Sequence, residues 1–487
     1  MTSATEHKQP SIGNPSHRNP EDDMRADLAP PVGHVTREER KVLAATLVGT
    51  AIEWYDYFIY AQAAGLVLGA LFFAPIAQNN PGLAQILSFA TVGISFLFRP
   101  LGAIVCGYLG DRYGRKVILV LTLVLMGAST VLIGLLPTYA QIGVWAPILL
   151  VLLRLAQGFS AGGEWGGAAL MAVEHAPVDR RGFFGAFPQI GVPLGMIIAT
   201  LVLLGLTTTI GQERFLEWGW RIPFLLSIAL IVVGSLIRRT VEESPVFEQM
   251  HQRRKESSAP LAQLFRNHTR QVVLTALIFV ATNAAGYLLI AFFISYGQKT
   301  LQLPPGPLLT VCTLAAIGWL VFTLFGGRLS DRLGRVRTFQ LGFIALALWA
   351  IPMWFLIDTR DLVLFFVATF VLGCTLGITY GPQAALYAEM FPAKVRYSGV
   401  SVGYALGSVL GGAFAATIAQ WIVSTWGQSW LIGVYIVILS AISFVAVSLV
   451  KDPMGVDLND REVHDEHLRE HPEIGARDPG VAGEPTR

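Results

Sequence analysis

The sequence predicts an all-α membrane protein, with twelve transmembrane helices in two pseudo-symmetric six-helix halves. Three observations carry this. Of 487 residues, 53% are hydrophobic and only 14% charged, with a mean hydropathy of +0.55. An ordinary soluble chain carries about 25% charged residues. Apolar runs of bilayer-spanning length, about 20 residues, recur from end to end; one of them, 117–137, holds no charge at all. The third observation is an internal repeat. Gly107-Tyr-Leu-Gly-Asp111-Arg112-Tyr-Gly114-Arg115-Lys116 returns as Gly327-Arg-Leu-Ser-Asp331-Arg332-Leu-Gly334-Arg335, 220 residues on. Glu174-His-Ala-Pro177-Val-Asp-Arg-Arg181 returns as Glu389-Met-Phe-Pro392-Ala-Lys-Val-Arg396, 215 residues on. Parallel repeats of this kind imply two halves of six spans each.

Taken in order, the spans are 42–72, 84–109, 117–137, 145–174, 183–208, 219–238, 271–297, 307–328, 338–357, 362–389, 398–424 and 430–450. None shows the apolar-polar alternation of a membrane β-barrel. Residues 1–40 and 453–487 are polar and are predicted to be disordered tails. The halves are then 41–238 and 271–452, joined by a charged linker at 239–270. No cleavable signal peptide is visible. Basic residues fall mostly on one side: Arg37, Arg40, Lys41, Arg112, Arg115, Lys116, Arg180, Arg181, the linker, Arg328, Arg332, Arg335, Arg337, Lys394, Arg396 and Lys451. The other side receives Arg214, Arg221, Lys299 and Arg360. The positive-inside rule puts the first side, with both termini, in the cytoplasm of a cell or inner membrane. The Asn267-His268-Thr269 sequon falls on that side and is read as coincidental.

Five ionisable residues lie inside apolar spans of the first half: Glu53, Asp56, Arg99, Arg154 and Glu164. A charge at mid-membrane costs about 2.5–3.5 kcal/mol on insertion scales, so it is kept for a partner or a task. Three acids and two bases leave one acid to be neutralised by a proton. At 1.5 Å rise per residue, Glu53, Arg99 and Glu164 sit at a similar depth, roughly 15–18 Å in. Asp56 follows Glu53 on the same helix face, and the long Arg154 side chain is expected to reach toward it. Asp56, Glu53, Glu164 and Arg154 are therefore the candidate proton-coupling residues. Arg99 and Arg154 offer forked donors for a carboxylate. With Tyr57, Gln189, Asn283, Tyr287 and Gln383 they form the candidate substrate-binding set. Trp54, Tyr55, Tyr57, Phe58 and Tyr60 make one wall, and Tyr380 and Tyr387 are further pocket candidates.

The repeated loops carry a gate. Asp111 and Arg115, with Glu174 and Arg181, are expected to form one charge network, and Asp331, Arg335, Glu389 and Arg396 the equivalent in the other half. Gly107, Gly114, Gly327 and Gly334 permit the tight turns, and Arg112 and Arg332 complete the basic loops. Gly399, Gly403, Gly407 and Gly411 recur every four residues, as does a glycine cluster from Gly158 to Gly167, and both predict close helix approach.

These loops resemble the signature of the major facilitator superfamily. Other segments resemble its metabolite:proton symporter branch: Glu53-Trp-Tyr-Asp56-Tyr-Phe, Arg99-Pro-Leu-Gly, Arg154-Leu-Ala-Gln157-Gly158, Gly162-Gly-Glu164-Trp-Gly-Gly, Gly219-Trp-Arg221-Ile-Pro223-Phe and Glu243-Ser-Pro-Val-Phe. The stretch 162–194 looks most like the shikimate-transporter-like members. The resemblance implies a major facilitator fold over about residues 40–450 and alternating-access import of a small organic acid or zwitterion, such as shikimate, a keto or dicarboxylate, or proline or betaine, with protons. It also implies that Asp56 and Arg154 are a proton-linked pair. A drug or metabolite antiporter is the alternative, although Gly191-Val-Pro193-Leu-Gly195 differs from the Gly-Pro pair of that group. A transporter-like sensor is a further one.

Other classes find little support. Basic residues form no extended patch for nucleic acid. No Gly-Lys-Ser/Thr follows a glycine string, so no nucleotide site is expected. Cys106, Cys312 and Cys374 lack metal-ligand or CxxC spacing and read as buried free thiols. No nucleophile–base set points to an enzyme, and no cofactor is called for.

Overall fold

The computed structural model describes residues 37–77, 81–113, 115–239, 260–456 and 458. These residues form twelve helical rods: α1 (37–73), α2 (81–113), α3 (Arg115–Leu135), α4 (Trp145–Glu174), α5 (Arg181–Ile210), α6 (Arg221–Arg239), α7 (Thr269–Lys299), α8 (Pro305–Leu333), α9 (335–357), α10 (Leu362–Met390), α11 (Arg396–Trp426) and α12 (Trp430–Ser448). Every predicted span coincides with one rod. Nine helices among the described residues are long and apolar enough to cross a membrane. The rods missing from that set are α3, α6 and α9; Pro352 interrupts α9 after Ala350. The linker is partly helical, at Pro260–Asn267; residues 240–259, with Glu243, lie outside the described residues, as do most of the two tails.

The hydrophobic pattern sorts the rods. The apolar window of α7 is 94% buried and that of α1 83% buried, against 39% for α12; α1 and α7 therefore run through the centre. Outward-facing side chains are apolar: Leu348 is 73% exposed, Phe355 64% and Val363 68%. A surface of this kind is built for lipid. Exposed Trp145, Trp426 and Trp430 lie at the end of the bundle away from the Asp-Arg loops, where an interfacial aromatic belt belongs.

The packing repeats as the sequence does. The α2–α4 and α3–α6 pairs of the first half match α8–α10 and α9–α12 of the second. The halves meet mainly where α5 packs on α8 and α2 on α11, the same contact used twice.

Glycine makes the tightest crossings. A Cβ on Gly158 would lie 1.8 Å from the Ser95 carbonyl oxygen, one on Gly162 2.0 Å from that of Arg99, and one on Gly102 1.8 Å from that of Phe159. The backbones of α2 and α4 are therefore in contact, which sets Arg99 and Arg154 into one neighbourhood. On α11, Gly403, Gly407 and Gly411 lie against α7, while Gly399 meets Phe391. Cys106, Cys312 and Cys374 are free; the first two are buried, but Cys374 is partly exposed.

Replacing Gly158 by Leu will displace α2 from α4. Overpacking of this kind costs about 1–3 kcal/mol, read as a lower melting temperature of the purified protein. Gly205→Ala, where a Cβ meets nothing within 4 Å, will leave it unchanged.

Candidate functional site

Arg99 owes its position to Pro100. Proline lacks the N–H that would bond four residues back, and disfavours helix at the residue before it. The helix of α2 is accordingly interrupted at Phe98, between Pro81–Leu97 and Arg99–Tyr113. Arg99 starts the second piece, 2% exposed. Its guanidinium carbon stands 4.1 Å from the Phe96 ring centroid, 4.9 Å from Tyr57 and 5.7 Å from Trp54. Such aromatic faces stabilise a desolvated cation. Glu53, also buried, lies within electrostatic reach of Arg99, Tyr380 and Tyr404. The Arg99 Nε has no hydrogen-bond partner among the described residues.

Arg154 is fully buried and held differently. It donates to Gln157 Oε1 at 2.6 Å, Ser95 Oγ at 2.8 Å and the Thr91 carbonyl at 3.4 Å. Its guanidinium carbon lies 3.8 Å from the Tyr60 ring and 4.9 Å from the Tyr57 ring. One tyrosine ring, Tyr57, is thus shared by both arginines. The expected approach of Arg154 to Asp56 does not occur. Neutral acceptors on α2 and α4 use its donors instead, because the glycine-mediated contact brings those groups closer.

Asp56 faces α3 and α6. One carboxylate oxygen accepts from Ser227 Oγ at 2.5 Å, and Thr130 is within hydrogen-bonding reach. The other oxygen has no hydrogen-bond partner among the described residues, and a Cβ built on Gly127 would lie 3.5 Å from it. No basic side chain among the described residues pairs with it. Gln157, which accepts from Arg154, donates to Thr130 Oγ1 at 2.7 Å. Ser227, Thr130 and Gln157 were missed as site residues. Ser227 stands as a lone polar side chain in an apolar stretch, whereas Thr130 sits beside Ser129 and Gln157 near Arg154 and Ser160, so these two carried no distinct signal. Glu164 is fully buried on α4.

The central cavity measures about 10 Å³, room for roughly one water. Trp54, Asn283, Tyr287, Trp319, Tyr380 and Phe279 are among its lining residues. Tyr287, just before a π-helical turn at Leu288–Phe292, packs on Phe96 at 4.9 Å and Tyr57 at 5.7 Å. Asn283 donates to the Ser408 carbonyl at 3.1 Å. Of the predicted substrate-binding residues, Asn283 and Tyr287 line the cavity, whereas Arg99, Arg154, Tyr57, Gln189 and Gln383 do not. Gln189 accepts from Trp165 Nε1 at 2.7 Å and donates to Gln383 Oε1 at 3.2 Å, so this pair ties α5 to α10. Tyr387 donates to the Thr275 carbonyl. Trp319 and Phe279 were not anticipated, since aromatic residues in apolar runs carry no distinguishing pattern.

The end with the Asp-Arg loops is closed by charges. Arg335 contacts Asp331 at 2.6 Å and both Glu389 oxygens at 3.1 Å, as expected within the second half. The other pairs are exchanged between halves: Arg396 meets Glu174 at 3.4 Å, and Arg181 meets Glu389 at 3.7 Å. Among the described residues the charges therefore interlock the two halves, which the expectation of one network per half did not include; the partners expected of Asp111 and Arg115 lie outside those residues. The cause of the interlocking is the α5–α8 contact, where a Cβ on Gly327 would lie 2.7 Å from the Gly182 carbonyl. Asp331 accepts from the Gly182 and Phe183 amides at 2.7 and 2.8 Å, capping the first turn of α5 from the opposite half. Arg332 is exposed, and Gly334 turns the chain at φ +94°. Gly114 and the side-chain surroundings of Gly107, Asp111, Arg112 and Arg115 lie outside the described residues. After α12, Arg181 donates to the Val456 carbonyl at 2.6 Å and Arg396 to that of Leu458 at 2.8 Å. The start of the expected C-terminal tail is therefore held to both halves.

A family model described as Major Facilitator Superfamily matches residues 46–408. The chain is 40% identical over 418 residues to the inner membrane metabolite transport protein YhjE of Escherichia coli, covering 85% of this chain and 94% of that one. It is 35% identical over 420 residues to the shikimate transporter of Escherichia coli, covering 85% and 94%. It is also 35% identical over 422 residues to the proline/betaine transporter of Salmonella typhimurium, covering 85% and 83%. Among solved structures, the proton:xylose symporter XylE bound to 6-bromo-6-deoxy-D-glucose superposes with a TM-score of 0.70 at 18% identity, covering 88% of this chain and 99% of that one. That likeness is one of fold.

Removing the Asp331 carboxylate (Asp331→Ala) strands the two α5 amides. In a background without the three native cysteines, this will speed thiol labelling of an Ala186→Cys reporter. The expected change is about tenfold, the equivalent of about 1.4 kcal/mol of lost closure.

Proposed function

Because this chain belongs to the Major Facilitator Superfamily, we propose that it is a secondary active transporter importing a small carboxylated metabolite together with protons by alternating access. The observation that carries the proton coupling is Asp56. It is 1% exposed, one of its oxygens has no partner, and no counter-ion pairs with it among the described residues. An ionised carboxylate in that setting would bear a desolvation cost of several kcal/mol that the Ser227 hydroxyl repays only in part. Binding a proton removes the cost. Asp56 therefore holds its proton in this closed arrangement and releases it when the halves rearrange and water reaches it.

Arg99 is the substrate's anchor in this reading. Its charge is kept by ring faces and by the field of Glu53, which leaves its forked donors suited to an incoming carboxylate. Asn283 and Tyr287 of the second half line the central cavity together with Trp54 of the first, and Tyr287 packs on Phe96, the ring that faces Arg99. A substrate admitted there once the cavity widens touches both halves, so its binding favours their closing around it. Glu53 and Glu164 are kept as further proton-coupling candidates. The interlocked network at the Asp-Arg end is the gate that opens on the other stroke, and the Lys and Arg asymmetry supports putting that end, with both termini, in the cytoplasm. The relatives' names support metabolite transport, and the compounds they name, shikimate, proline and betaine, each carry a carboxylate.

Uptake of radiolabelled shikimate, 2-oxoglutarate, citrate, proline and betaine into proteoliposomes, with and without an uncoupler, tests this. At least one will be accumulated, and the uncoupler will abolish the accumulation; accumulation indifferent to the uncoupler removes the proton role. Asp56→Asn will lose accumulation and keep exchange. Arg99→Ala will raise KM for that substrate by about tenfold or more, the loss of one charge-assisted pair worth about 1.5–3 kcal/mol; an unchanged KM removes the anchor.

A further inference from the structure

Asp56 and Arg154 do not touch, yet a line of buried polar groups leads from one to the other, hydrogen-bonded from Arg154 to Thr130 and open at the Thr130–Asp56 step. Thr130 of α3 stands within hydrogen-bonding reach of Asp56. Gln157 Nε2 donates to Thr130 Oγ1 at 2.7 Å, and Gln157 Oε1 accepts from Arg154 Nη1 at 2.6 Å. Thr130, Gln157 and Arg154 are each 0% exposed. Arg154 then lies over the Tyr57 ring, 4.9 Å from its centroid, and Arg99 stands 4.9 Å from the same centroid. We propose that Thr130 and Gln157 are positioning residues that transmit the protonation state of Asp56 to Arg154, and through the shared Tyr57 ring to Arg99. The inference rests on the reading of Asp56 as the proton carrier.

The physical basis is the single proton of the Thr130 hydroxyl. A threonine hydroxyl has one O–H to donate and two lone pairs to offer. Here it donates to the Met126 carbonyl at 3.0 Å and accepts from Gln157. That arrangement suits a protonated Asp56, which needs no donor beyond Ser227. When the proton leaves to water, the carboxylate becomes an acceptor with an unfilled site. The Thr130 O–H turns from Met126 to Asp56, and its lone pairs turn with it. The Gln157 amide has to follow, because both its ends are committed in a site without solvent. The guanidinium of Arg154 is then shifted against Tyr57. No proton travels along the line; only donor and acceptor orientations change, so the charge of Arg154 is conserved.

The experiment uses the full chain in proteoliposomes and whichever of radiolabelled shikimate, proline or betaine the unaltered protein accumulates. Accumulation against the gradient and substrate exchange at zero gradient are both measured. Thr130→Val and Gln157→Leu keep volume and remove the hydrogen-bonding groups. Each is expected to lower accumulation by about tenfold or more while exchange stays within about twofold, a separation that loss of folding does not produce. Thr130→Ser, which retains the hydroxyl, will restore accumulation. Asp56→Asn combined with Gln157→Leu will be no worse than Asp56→Asn alone, since both interrupt one line. Wild-type accumulation in Asp56→Asn overturns the proton role itself. Loss in Asp56→Asn with wild-type accumulation in both Thr130→Val and Gln157→Leu overturns the line alone. Failure of Thr130→Ser to restore accumulation also overturns it.

Discussion

Arg99 and Arg154 share the ring of Tyr57, and the arrangement of the site follows from that contact. Two guanidinium groups cannot be housed in the interior of a membrane protein without donors and faces supplied by the protein. Arg154 satisfies its donors with Gln157, Ser95 and the Thr91 carbonyl. Arg99 depends on the faces of Phe96, Tyr57 and Trp54 instead. The two are therefore held by different chemistry. One has its hydrogen-bonding capacity committed to the scaffold, and the other keeps its Nε without a hydrogen-bond partner among the described residues.

The shared ring is possible only because α2 and α4 touch along their backbones. Ser95, Arg99 and Phe159 carbonyls occupy the space that side chains at Gly158, Gly162 and Gly102 would fill. With any larger residue there, the helices separate and Arg154 loses Ser95. Close approach at small residues is a general device of membrane helices. In this chain it does more than pack, since it decides which residues the buried charges reach. Pro100 adds the second local condition, by breaking the helix just before Arg99.

The closing of the Asp-Arg end rests on the same logic of committed partners. Asp331 serves three donors at once: the Arg335 guanidinium and the two α5 amides. Glu389 is met by Arg335 and Arg181, one from each half. A buried carboxylate with several donors is stable only while all of them are present, and the loss of one partner of such a pair costs about 3–5 kcal/mol. A packed network of this kind is bistable, either assembled or dispersed, and does not deform continuously. The segment after α12 joins it through the Val456 and Leu458 carbonyls.

By itself, the amino-acid order determined the number and position of the twelve rods, because apolar run length is a local property and a bilayer reads it directly. It also determined the repeat, and with it the equivalence of α2–α4 and α8–α10, and it marked Glu53, Asp56, Arg99, Arg154 and Glu164 as buried charges, since nothing along an apolar run accounts for them. Tertiary structure alone decided their partners. Arg154 was expected at Asp56 and lies instead with Gln157 and Ser95; Arg396 was expected within its own half and lies with Glu174. Hydrogen bonds are made over about 3 Å, and which groups come within that reach depends on how helices far apart in the chain cross. A residue's neighbours along its own helix do not contain that information, so Thr130, Ser227 and Trp319 became site residues only once α3, α6 and α8 were in place.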